Sequence, residues 1–195
     1  MSEVLVVGLA TLIGAPLPIL PLQILFLNLV TDVFPALALG LGKAEVGIME
    51  RAPRKEDESI LTKKHWIGIG GYGLLITSAV LGALFWGLWS THINQEEAIT
   101  MSFLTLAFAQ LWHVFNMRGK SSSVLHNTII SNPYVWGAIV LCIGLILAAV
   151  YIPSIALVLK VVPPSSTNWI IIISMSLIPL VIGQAIKSIF NTTTE

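Results

Sequence analysis

Six predominantly apolar stretches, at about 1–15, 20–41, 66–89, 97–117, 133–152 and 168–189, leave this chain few folds to choose from. In lipid every backbone polar group must be satisfied within the protein, so stretches of this length are read as helices. The expected class is an all-α polytopic membrane bundle of about six transmembrane helices, with residues 1–195 forming a single transmembrane domain in the lipid bilayer. Composition agrees: 55% of residues are hydrophobic, 10% are charged and the mean hydropathy is +0.88, which excludes a water-soluble domain. A formal net charge of zero and the lack of a long basic tract argue against a nucleic-acid partner.

The first stretch is the odd one. Fifteen residues rising about 1.5 Å each reach only ~22 Å, short of the ~30 Å hydrocarbon core, so the first helix reads as truncated. Pro16, Pro18 and Pro21 then force a tight, non-helical turn before the second helix. Basic residues set the orientation. The 42–65 loop holds Lys43, Arg51, Arg54, Lys55, Lys63 and Lys64, the next loop on that side holds Arg118 and Lys120, and the tail holds Lys187. With only Lys160 opposite, the positive-inside rule places these loops and both termini in the cytoplasm, in a multi-pass protein of the cell membrane. Trp66, Trp112, Tyr134 and Trp136 fit an aromatic belt at one interface, and Trp86, Trp89, Tyr151 and Trp169 fit one at the other.

Against this apolar background the second stretch carries Asn28, Thr31 and Asp32, whose three- and four-residue spacing places their oxygens on one helix face. An ionisable group at membrane depth is costly unless paired or facing water, so it marks a functional site. Pro35 sharpens the expectation, since in an α-helical register it leaves the carbonyl of Thr31 without a donor. Counting from the turn, Glu3 and Asp32 each lie twelve residues from the adjoining helix end, about 18 Å deep, and Gln110 on the fourth segment reaches ~20 Å. Glu3, Asn28, Thr31, Asp32 and Gln110 therefore make an oxygen cage drawn from three helices, suited to a hard divalent cation such as calcium or manganese.

Plainer roles are expected for other residues. Gln110, taken alone, could equally join helices through its amide, and His113 reads as a packing or interfacial histidine rather than a ligand. The lone Cys142 lies within an apolar segment and reads as a packed residue. Gly68 to Gly73 matches a dinucleotide-binding glycine pattern, but no strand precedes it, and close helix packing is the expectation. Asn191 to Thr193 spells a glycosylation acceptor on the side read as cytoplasmic.

The run from Pro21 to Gly40, PLQILFLNLVTDVFPALALG, resembles the sixth transmembrane helix of P-type cation-transporting ATPases of the calcium-pump class. The likeness continues through Gly47 to Arg54, similar to the loop after that helix, and through Ala109 to Arg118, similar to later segments of bacterial pumps. The resemblance implies a chain running from the middle of the fifth helix to the tenth, with Glu3, Asn28, Thr31 and Asp32 as cation ligands and the 42–65 loop touching the phosphorylated domain. Asn28, where sodium-potassium pumps usually carry aspartate, favours calcium-like ions. Gln110 stands where two-site calcium pumps have glutamate, Ala52 replaces a common proline, and a fifth-helix asparagine ligand would fall before Met1.

Neither an Asp-Lys-Thr-Gly phosphorylation motif nor a Thr-Gly-Glu dephosphorylation motif occurs in the chain. No ATPase activity is expected of it alone, and it offers no catalytic or cofactor-binding residues. Mg-ATP would act only in absent domains, and the partners implied are the missing N-terminal helices and the cytoplasmic ATPase domains of a parent pump. The expectation is a C-terminal membrane domain that supplies cation-binding residues for active transport, as a piece of a longer or split protein. The competing reading is a self-contained small membrane protein, such as a channel subunit or assembly partner, that works without ATP.

Overall fold

The computed structural model describes residues 1–42, 63–90, 94–117 and 129–192. Most of the basic loop residues, the Gly47 to Arg54 segment and the end of the Asn191 to Thr193 acceptor lie outside the described residues. Among the described residues eight α-helices follow in order: α1 (Ser2–Leu12), α2 (Pro21–Leu27), α3 (Phe34–Gly40), α4 (Lys63–Trp89), α5 (Gln95–His113), α6 (Pro133–Tyr151), α7 (Pro153–Leu159) and α8 (Ser166–Thr192). Five segments of the described residues are long and apolar enough to cross a membrane, namely Pro21–Gly40, His65–Trp89, Gln95–Met117, Pro133–Tyr151 and Ser166–Ile186. The expected first span is the shorter apolar helix α1, eleven residues from Ser2 to Leu12.

α1 stops because Gly14 takes a positive φ of 70°, a conformation glycine adopts without a Cβ penalty, and the prolines that follow cannot continue a helix. Pro21 then opens α2 at a position where its missing N–H costs nothing. Gln23 makes the turn rigid. Its Oε1 accepts from the Leu20 N–H at 3.0 Å, while its Nε2 donates to the Leu159 carbonyl at 2.9 Å at the end of α7.

The second span is not one α-helix. A π-helical turn, Asn28–Val33, joins α2 to α3 and covers the polar residues singled out by sequence. In its i→i+5 register the carbonyl facing the Pro35 nitrogen is that of Val30, five residues back, rather than that of Thr31. Tertiary contacts set this register, so the pattern of apolar residues gave no sign of it.

α5 is the centre of the bundle. Every residue from Ala98 to Ala109 except Ile99 is buried, and α4, α6, α8 and the π turn all pack on it. A helix apolar all round is the kind that sits inside a bundle. Helices already in lipid gain little hydrophobic energy by meeting, so close packing and hydrogen bonds hold them together. Gly87 of α4 shows how close that packing is, because a Cβ there would come within 2.7 Å of the Ala98 Cβ. Among Gly68, Gly70, Gly71 and Gly73, by contrast, only Gly73 is approached by another helix, with Leu5 Cδ1 3.2 Å from the position of a Cβ. Among the described residues the expected glycine packing face is thus reduced to one residue, because α1 crosses α4 near Gly73 and does not reach the other three.

Two further details lie beyond the hydropathy reading. The indole of Trp112 is partly buried, and its Nε1 donates to Ser176 Oγ on α8 at 3.1 Å. The connection after the fifth apolar stretch contains a helix, α7, started by Pro153 and ended by Lys160 in the left-handed region at φ 52°. Proline at the first position and the change of backbone hand after Leu159 are local signals that hydropathy alone passed over.

Candidate cation site

Glu3 lies in the first turn of α1, beside the face on which Ser2, Val6 and Ala10 are buried. That face docks on the bundle, which turns the carboxylate toward the C-terminal half of α5. Gln110 meets it there, donating from Nε2 to Glu3 Oε1 at 3.2 Å. Its Oε1 in turn lies 2.7 Å from the hydroxyl oxygen of Thr31 in the π turn. Thr31 is buried, and its hydroxyl also lies 2.8 Å from the Leu27 carbonyl, so its single proton serves two acceptors in alternation. One amide therefore ties together the three elements that counting placed at a common depth.

All five predicted residues, Glu3, Asn28, Thr31, Asp32 and Gln110, line a single cleft of about 970 Å³. Asn28 and Asp32 stand exposed on its wall, whereas Glu3 and Gln110 are half-buried. The cleft continues past Tyr72 and His113 to His65, toward the end of the bundle at which α4 begins. His113 packs there against the edge of the Tyr72 ring, with centroids 4.7 Å apart, in keeping with its expected packing role. Among the described residues no group of three or more His, Cys, Asp or Glu side chains gathers as a metal cluster. Any cation in this cleft would meet two carboxylates and a remainder of neutral oxygens.

Three residues that sequence reasoning missed hold the broken helix in place. Gln23 anchors its beginning, as described above. Asn132 caps α6 by accepting from the Tyr134 N–H at 3.0 Å and donates from Nδ2 to the Ala38 carbonyl at 3.0 Å. Cys142, fully buried, donates its S–H to the Val30 carbonyl at an S···O distance of 3.0 Å. Asn132 before Pro133 is a recognisable helix start, and Gln23 two residues after Pro21 is a recognisable capping position. For Cys142 no local signal existed, because its partner lies 112 residues away.

Residues 16–189 match the family model described as cation transporting ATPase, C-terminus. The chain belongs to this family. Asn28, Thr31, Asp32 and Gln110 fall inside the matched region, and Glu3 lies ahead of it. A calcium-transporting ATPase of Bacillus subtilis (strain 168) is 36% identical over 179 residues, which cover 92% of this chain and 20% of that protein. Calcium-transporting ATPase 1 of Bacillus cereus is 31% identical over 200 residues, covering 95% and 22%. An endoplasmic reticulum-type calcium-transporting ATPase 3 of Arabidopsis thaliana is 25% identical over 222 residues, covering 99% and 22%. The chain thus spans about a fifth of the length of the relatives it matches. As a member of this C-terminal family it is a multi-pass membrane protein, and its likeness runs across nearly all of its own length.

Proposed function

We propose that this chain supplies the cation-binding part of an ATP-driven pump and that the cleft beside the π turn receives one divalent ion per transport cycle. The observation that carries the reading is the convergence of Glu3, Asn28, Thr31, Asp32 and Gln110 on one cleft. Their donor atoms suit a hard cation, which takes six or more oxygen ligands in the case of calcium and often fewer in smaller ions. Two carboxylates balance the charge of one such ion and no more. Gln110 adds an oxygen but no charge, and in this arrangement its amide also fixes the Glu3 carboxylate and the Thr31 hydroxyl.

Calcium is the favoured substrate, because the chemistry fits and the relatives are calcium-transporting ATPases by name. Manganese, with the same preference for oxygen, is the nearest competitor. Phosphoryl transfer from Mg-ATP would take place in cytoplasmic domains outside this chain, and earlier helices would close the open side of the cleft. The distribution of Lys and Arg supports a cell-membrane orientation in which the loops around 42–65 and 116–132 face the cytoplasm.

Transport by the full-length protein reconstituted in sealed vesicles tests the reading. ATP should drive uptake of labelled calcium, with unlabelled manganese competing more weakly than unlabelled calcium. ATP-independent leakage of either ion would instead favour a channel-like protein.

A further inference from the structure

α6 contributes no residue to the lining of the cleft, yet it touches the broken second span at two backbone carbonyls. Its donors, Asn132 and Cys142, lie ten residues apart, and the carbonyls they reach, Ala38 and Val30, lie eight apart in the opposite direction. α6 therefore runs along the back of α3 and the π turn like a splint. The upper contact needs a special donor. In an i→i+5 register the group opposite the Val30 carbonyl is the nitrogen of Pro35, which has no proton to give. Water cannot reach this carbonyl readily, because Val30 is 2% exposed and Cys142 is 0% exposed. A carbonyl without a partner at membrane depth is strongly disfavoured, and the thiol proton supplies what the backbone lacks.

From this geometry we infer that Cys142 is a positioning residue for the cation site: its S–H satisfies the Val30 carbonyl and so holds the π register that presents Asn28 and Asp32 to the cleft. The inference rests on the cation-site reading above. Without the thiol the π register loses its advantage at this point, because an α-helical register merely exchanges the unpaired Val30 carbonyl for that of Thr31, a residue that lines the cleft, and the side chains before Pro35 are then free to rotate relative to Gln110. Cys142 would then govern ion affinity without touching the ion. A merely space-filling cysteine would govern stability alone.

The test uses the full-length pump with Cys142→Ala, Cys142→Ser and Asp32→Asn. Cys142→Ala should raise the calcium concentration for half-maximal phosphorylation about three- to tenfold, the worth of one hydrogen bond, at an unchanged maximal level. Cys142→Ser, which keeps a donor, should stay within about twofold of wild type. The infrared difference between wild type and Cys142→Ser should show an S–H stretch displaced below that of a free thiol. Equal calcium affinity in Cys142→Ala and wild type, equal shifts in both cysteine variants, or an S–H band at the free-thiol position would each overturn the inference. Should Cys142→Ala fail to accumulate, the S–H band of the wild-type protein still decides. Loss of calcium activation in Asp32→Asn together with a silent Cys142→Ala rejects the positioning role alone, whereas normal activation in Asp32→Asn rejects the site and the inference with it.

Discussion

The two ends of α5 carry similar polar residues and use them in opposite ways. At the Glu97 end Asn94, Glu97 and Thr100 are each committed to a partner. Asn94 Oδ1 accepts from the Glu97 N–H at 2.8 Å, Glu97 Oε1 accepts from Asn168 Nδ2 at 2.6 Å, and Thr100 Oγ1 accepts from the Val162 N–H at 3.1 Å while donating to the Glu96 carbonyl at 2.9 Å. This end latches α5 to the start of α8 and to the segment after α7. Fifteen residues into the same helix, Gln110 faces a cleft of about 970 Å³ and reaches a carboxylate and a hydroxyl on two other elements. A carboxylate spent on an amide in a packed contact is structural, whereas carboxylates gathered around open volume can receive a ligand. The residue types at the two ends would not have told them apart.

The largest expected effect breaks this comparison most cleanly. In the full-length pump Asp32→Asn should weaken calcium activation of phosphorylation by on the order of a hundredfold, since one of the two carboxylates that balance the ion's charge is lost. Glu97→Gln, the same change at the other end of the bundle, should leave calcium activation within about twofold of wild type. Comparable losses in both variants would show that the two ends do not differ in kind.

Gly87→Ala comes next and acts only on stability. The new Cβ would press on the Ala98 Cα and Cβ, at 2.9 and 2.7 Å, and overpacking of this kind costs about 1–3 kcal/mol. Thermal unfolding in detergent should register that loss, and the calcium affinity of the protein that remains folded should not change. Asn168→Ala should be milder, about 1–2 kcal/mol for a hydrogen bond to a charged group near the membrane surface, again with calcium affinity preserved. A shift in calcium affinity in either variant would mean that the latch at the Glu97 end is coupled to the cleft.

Much of the fold could be read from the chain because lipid permits so few backbone solutions. Five of the six apolar stretches are long enough to span, and counting residues along the first, second and fourth of them brought Glu3, Asp32 and Gln110 to one level, where Gln110 hydrogen-bonds Glu3 and the neighbouring Thr31. What could not be read depends on partners far away in sequence. The π turn has no local signature beyond Pro35, and the donor that completes it comes from Cys142. Trp112 lies near the end of its span, as an interfacial aromatic does, and Ser176 draws its indole N–H inward. Glu97 opens the fourth apolar stretch, and because α5 begins at Gln95 it stands in the first turn within reach of Asn168, a partner 71 residues away. Hydropathy ranks residues by their taste for lipid, and these details are decided by which hydrogen-bonding group happens to stand opposite.

The central claim is a site for one divalent ion, set by the carboxylates of Glu3 and Asp32 and the neutral amide of Gln110. Equilibrium binding of labelled calcium to the purified full-length pump, scaled to its active phosphorylation sites, tests it most directly, with Gln110→Glu as companion because that change adds a third carboxylate at nearly matched volume. The account predicts a ratio near one for the wild-type protein. A ratio near two in the wild type, with Gln110 still an amide, would contradict it.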